Sequence, residues 1–217
     1  MNIMQSPVLR GRLVRLEPLE RRHVDGLMAA AEQGDARDDP TLYKWTIVPQ
    51  GRAETSDYVE TALAMQAAGT AVPYATVRQS DGAVIGCTRF FEFAFWDWPQ
   101  DHPRRGTGQP DVGEIGYTWL SAKAIRSGIN TEAKLLMLTR AFEAWGMLRI
   151  CLQTHGKNER SQAAILRLGA RFEGIIRASK LAPDNTPRDS ARYSVVAAEW
   201  PAVKARLQGY LQKHGAV

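Results

Sequence analysis

The chain has 217 residues, 44% of them hydrophobic and 24% charged, with a net charge of +5 at neutral pH. That length can bury a core of its own, and the balance excludes a disordered or fibrous chain. The basic excess comes late: from Arg160 onward ten Lys or Arg face four Asp or Glu, scattered among apolar residues. Such scatter suits solvated faces and one small anion site better than a nucleic-acid surface.

No apolar run approaches the length of a membrane span, and the opening residues lack a small-residue cleavage pattern. The expectation is a cytoplasmic protein with no membrane partner. Cys87 and Cys151 lie in apolar strand-like runs, spaced for neither metal nor redox chemistry, and read as buried thiols.

In chain order, residues 9–16 predict a strand, followed by a helix whose apolar side is Leu19, Val24, Leu27 and Met28. The acidic DARDDPTLYKW (35–45) reads as a loop. Residues 53–68 repeat Tyr58, Val59, Ala62, Leu63 and Met65 at helical spacing. A hairpin follows, 74–78 and 84–95 about the turn Ser80-Asp81-Gly82, and then a strand at 113–120. Residues 132–145 carry Leu135, Leu136, Leu138, Phe142 and Trp145 on one helical face. A strand at 149–154, a helix at 159–168 ended by Gly169 and a strand at 193–197 close the pattern. The expectation is one domain over 1–217, a mixed α/β sheet with helices on both faces, carrying an insertion-like segment at about 92–111.

There is no Walker-type GxxxxGK, HExxH, CxxC or GxSxG, and the four histidines form no ligand spacing, so no metal is expected. What remains is a linked pair of strand–loop–helix units. EIGYTWL (114–120) leads to Ser127-Gly128-Ile129-Asn130-Thr131 and a helix beginning at Glu132, with Thr131 as the expected N-cap. Amides at a helix start form an anion cradle, and the glycine allows close approach. After the next strand, Asn158, Arg160 and Ser161 open a second helix. If the two strands are parallel neighbours, both helix starts lie at one edge, and a ligand with a phosphate end and an amide-bearing arm spans them. Asn158 is alternatively a helix cap only, and Ser161 idle in the first turn.

The stretches EIGYTWL, SGINTEA, NERSQAAILRLGARFEG and RDSARYSV resemble the GCN5-related N-acetyltransferase (GNAT) superfamily, most nearly its ribosomal-protein-alanine/serine acetyltransferase branch. The resemblance implies a twisted, mostly antiparallel sheet splayed between its fourth and fifth strands, with acetyl-CoA in the opening and no metal. By the same match, Trp119 and Leu120 offer backbone groups to the pantetheine arm, Ser127, Gly128, Ile129, Asn130 and Thr131 hold phosphate, and Asn158 contacts the pantetheine; Arg160, at the second helix start, is a further expected phosphate contact from its position alone. Ile125 and Asn130 depart from the family's phosphate-loop pattern, in which the position of Asn130 is small.

An attacking amine must be neutral, yet an α-amino group with a pKa near ~8 is mostly protonated at pH 7. Glu114, fourteen residues before Gly128, resembles in its spacing the general-base glutamate of the family's histone-acetyltransferase members and is the expected base, with a solvated strand-edge charge as the plain alternative. Ser161 matches the place where this branch carries a hydroxyl for the leaving thiolate. Phe90, Phe91, Phe93, Phe95, Trp96 and Trp98 crowd one stretch. Phe91, Phe93 and Phe95 suit one buried strand face, while Trp96 and Trp98 wall an acceptor pocket or meet a second subunit in a homodimer. The expected partners are an acyl-CoA and an amine, either a protein N-terminus or a small molecule such as a polyamine, amino acid or antibiotic. Succinyl-CoA as donor, or a non-catalytic acyl-CoA-binding regulator, are the alternatives.

Overall fold

A computed structural model describes residues 7–32 and 42–214, so most of the 35–45 loop expected from sequence lies outside the described residues. Eight strands form one sheet in the order β1-β2-β3-β4-β5-β6-β8-β7. They are β1 (Leu9–Arg10), β2 (Val14–Pro18), β3 (Ala71–Arg78), β4 (Val84–Ala94), β5 (Val112–Leu120), β6 (Arg149–His155), β7 (Arg171–Leu181) and β8 (Pro187–Val196). Every neighbouring pair is antiparallel except β5 with β6. Helices α1 (Val24–Glu32) and α2 (Gly51–Ala67) cover one face; α3 (Ile129–Thr139), α4 (Glu159–Leu168) and α5 (Trp200–His214) cover the other.

The expected first strand is a hairpin. Its turn places the amides of Arg12, Leu13 and Val14 2.9, 2.7 and 2.8 Å from the Glu132 carboxylate, which accepts all three. A side chain at Gly11 would put its Cβ 2.4 Å from that carboxyl, so only glycine admits the contact. A carboxylate taking three amides outcompetes straight strand pairing.

The larger core joins the inner residues of both ends of the sheet to α3, α4 and α5: Leu16, Phe90, Ile115, Met137, Ile150, Val195 and Leu207 are all buried. Each such side chain contributes about 1.5–3 kcal/mol by leaving water. The second cluster packs Leu27, Val59 and Ala62 of α1 and α2 on Val77, Cys87 and Trp119. Two elements escape the sequence reading. β7 has little alternation and is mostly exposed, and it is held as a strand by its pairing with β8. α5 starts at Trp200-Pro201, where a first-turn proline costs nothing because its missing N–H has no acceptor there anyway.

The aromatic alternation also breaks. β4 bulges at Glu92 (φ 50°), so Phe93 returns to the face of Phe90, and both rings meet Trp145 edge-on. Phe91 lies on the opposite face against Tyr117, and Phe95 is exposed.

Candidate active site

β5 and β6 pair only through Val112–Arg149, Gly113–Ile150 and Glu114–Cys151. Beyond that point β5 stays with β4 and β6 with β8, so the sheet splays and Glu114 sits at the vertex. A bulge opposite Thr88, with Tyr117 at φ 50°, turns β5 away from its partner. Of the two residues expected to offer backbone groups, Trp119 turns its carbonyl toward Gly86 of β4, while Leu120 turns its own toward the segment between α1 and α2. There it accepts the Tyr43 hydroxyl at 2.8 Å.

Glu114 is 3% exposed. The side-chain amide of Gln153 on β6 donates to it at 2.8 Å, and the Lys180 ammonium of β7 stands 4.0 Å from its other oxygen. Lys180 also pairs with Glu92 at 3.1 Å. Burial pushes the Glu114 carboxyl up to about 7; Lys180 pulls against that rise, and Glu92 adds to it. A carboxyl poised near neutrality where two strands part suits proton transfer at physiological pH.

Each arm of the splay ends in a helix start. Gly128, left-handed at φ 81°, caps α3 in place of the expected Thr131. Its conformation lets the chain enter the helix at Ile129, which draws Thr131 into the first turn as a buried residue. The first intrahelical bond runs from the Glu132 amide to the Gly128 carbonyl, so the amides of Ile129, Asn130 and Thr131 have no acceptor inside the helix. Ser127 turns its hydroxyl back to the Ala124 carbonyl. The Asn130 side-chain oxygen is buried without a hydrogen-bond partner. Unspent amides at the positive end of α3, beside an open β5 edge, fit a pyrophosphate with a pantetheine arm.

On the other arm, Asn158 caps α4 by accepting the Ser161 amide at 3.1 Å. Ser161 is half-buried in the first turn, and Arg160 donates to the Leu42 carbonyl. Trp45 rests on His155 with ring centroids 4.0 Å apart. Residues 42–45 therefore touch both arms, at Leu120 and at His155.

The segment after β4 is organised around buried Asp111. Its carboxylate accepts the Trp96 amide, the Trp98 indole N–H and the Arg104 guanidinium at 2.7, 2.9 and 2.8 Å. Trp98 stacks on His102, while Trp96 stays half-exposed. Among the described residues no three His, Cys, Asp or Glu side chains group as a metal would need.

Glu114 and Leu120 thus lie on one strand of the splay, the 127–131 loop follows that strand, and Asn158 and Ser161 open the helix that follows the other. Gln153, Lys180, Glu92 and Tyr43 escape the sequence reading. Gln153 had a local signal, since it shares a strand face with Cys151 two residues earlier. Lys180 and Glu92 had none, because bulges at Glu92 and at Ala178 (φ 47°) set where they point.

The chain matches the family model for the acetyltransferase (GNAT) domain over residues 13–171. It is similar to the crystal structure of a GCN5-related N-acetyltransferase from Brucella melitensis: 29% identity and a TM-score of 0.78, covering 94% of this chain and 85% of that one. Mycobacterium smegmatis RimJ in complex with CoA-disulfide shares the fold at 22% identity and TM-score 0.70, over 93% and 90% of the two chains. So does RimL, a ribosomal L7/L12 alpha-N-protein acetyltransferase in complex with coenzyme A, at 17% identity and TM-score 0.66, over 88% and 98%. No curated protein matches the chain in sequence.

Proposed function

Because this chain belongs to the GNAT acetyltransferase family, we propose that it is an N-acyltransferase that passes an acetyl group from acetyl-CoA to a primary amine by direct attack in a ternary complex. The observation that carries the reading is Glu114, buried at the vertex of the splay with its carboxyl poised near pH 7.

Bound acyl-CoA supplies an activated thioester. The amides of Ile129, Asn130 and Thr131 hold its pyrophosphate, the Leu120 carbonyl serves the pantetheine arm once Tyr43 releases it, and Asn158 borders that arm. Glu114 takes the proton of the incoming ammonium, directly or through a water, while Gln153 keeps its carboxylate oriented. Ser161, in the first turn of α4, donates to the departing sulfur, whose thiol has an ordinary pKa near ~8.5. An amide of β5 stabilises the oxyanion.

The acceptor is the N-terminus of a protein or peptide, as in the ribosomal-protein branch, or a small-molecule amine. Trp96 and the turn from Asp97 to Pro110 border its site or form a homodimer contact. Deleting residues 97–110 tests this: unchanged acceptor kinetics together with an unchanged oligomeric state would rule it out.

Thermal melts with acetyl-CoA, succinyl-CoA and free CoA test the donor without knowledge of the acceptor, since a ligand that binds the native state raises the midpoint. Stabilisation by acetyl-CoA that is lost in a Gly128→Asp variant supports the reading. Absence of any shift with every acyl-CoA overturns it.

A further inference from the structure

The β7–β8 hairpin borders the splay beyond β6, and in it Lys180 and Arg188 are register partners. Three cations line this flank. Lys180 is paired with Glu92, and Arg192 lies 3.7 Å from Glu173 while donating to the Cys151 sulfur at 3.4 Å. Arg188 is different. It is half-buried, its Nε donates to the Ser190 hydroxyl at 3.0 Å, and no carboxylate among the described residues lies within ion-pair distance.

Ser190 is completely buried and is held in turn by the Ser179 hydroxyl at 2.7 Å, which also reaches the Arg188 carbonyl at 3.3 Å. The guanidinium is thus fixed at one nitrogen and has four N–H donors left. Its charge acts on both Glu114 and His155, which places it between the vertex and the end of the β6 arm. Burial works against that charge, and the Glu114 carboxylate offsets only part of the penalty. A guanidinium drawn from water without an acid partner leaves a deficit that an anionic ligand cancels.

We infer that Arg188 receives a carboxylate carried by the amine acceptor, so that the substrate is an amine with a nearby carboxylate, an α-amino acid or an acidic peptide N-terminus, rather than a polycation. The inference rests on the acyl-transfer reading of the same site. Arg forks match carboxylates two bonds at a time, and a polyamine would instead bring positive charge against Lys180, Arg188 and Arg192.

The test is calorimetric binding to the full chain saturated with CoA. The probes are Ser-Glu-Ala-amide, Ser-Gln-Ala-amide, Ser-Lys-Ala-amide, free glutamate and spermidine. The acidic peptide or glutamate is expected to bind at least ~10-fold tighter than the glutamine and lysine peptides and spermidine. Arg188→Gln removes that preference and Arg188→Lys keeps part of it, with both variants melting near the parent. The peptide and the free amino acid distinguish the two sources of the carboxylate. Equal affinities, a preference for spermidine or the lysine peptide, a preference that survives Arg188→Gln, or no binding by either acidic probe overturns the inference. Turnover with the same probes separates the two levels. Transfer to amines without an acidic preference defeats this inference alone, whereas an Arg188-dependent acidic preference without transfer to any amine defeats the acyltransferase reading.

Discussion

Gln153 donates its side-chain amide to Glu114 across the point where β5 and β6 stop pairing. One strand supplies the proposed base and the other a donor to its carboxylate, and the Lys180 ammonium of the hairpin beyond stands 4.0 Å from its other oxygen. Glu114→Gln should therefore lower kcat about 100-fold or more, while affinity for acetyl-CoA, measured separately by calorimetry, stays near the parent value.

The parent enzyme's kcat/KM should rise through about pH 7 and level above it, since the base works ionised. Lys180→Met removes a charge that favours the carboxylate, so the rising limb of the pH–rate profile should move to higher pH. A limb that stays in place would show that Lys180 does not act on the base.

The same carboxyl leaves a mark on stability. Its folded pKa, about 7, lies above the ordinary 4.5, so the folded state binds the extra proton between those values. The contribution is fully present below about pH 4.5 and is lost as pH rises through 7, a change of up to about 3 kcal/mol. Urea melts should show Glu114→Gln gaining on the parent between pH 5 and 8.

Lys134 should behave in the opposite sense. It is buried in α3, donating to the Thr88 and Thr118 hydroxyls at 3.1 and 2.7 Å, and burial lowers its ammonium to about 7. A depressed pKa gives stability at high pH that is lost as pH falls through 7. Lys134→Met should be more stable than the parent by about 1–3 kcal/mol at pH 6, with the margin shrinking toward pH 10. The two threonine hydroxyls, 2.8 Å apart, still satisfy each other.

Glu132 ties the β1–β2 turn to the first turn of α3 through three backbone amides. Glu132→Ala should cost about 2–4 kcal/mol in chemical denaturation, because it strands those donors. Gly11→Ala should cost a comparable amount by clashing with the same carboxyl, and the double variant should cost less than the sum.

The local pattern along the chain was enough to place β5 and β6 and to show that each is followed by a loop and a helix. These features follow from apolar periodicity and from glycine and cap residues, which act over a few neighbouring residues. Only the tertiary structure decided that residues 9–16 fold back as a hairpin, that the α3 cap is Gly128, that β7 and α5 exist, and what surrounds Glu114. Bulges at Glu92, Tyr117 and Ala178 shift the faces on which later side chains lie, and such shifts arise from pairing between distant strands. The partners of Glu114 come from β4, β6 and β7, and the burial that tunes its carboxyl is a property of their packing together, which no stretch of the chain carries alone.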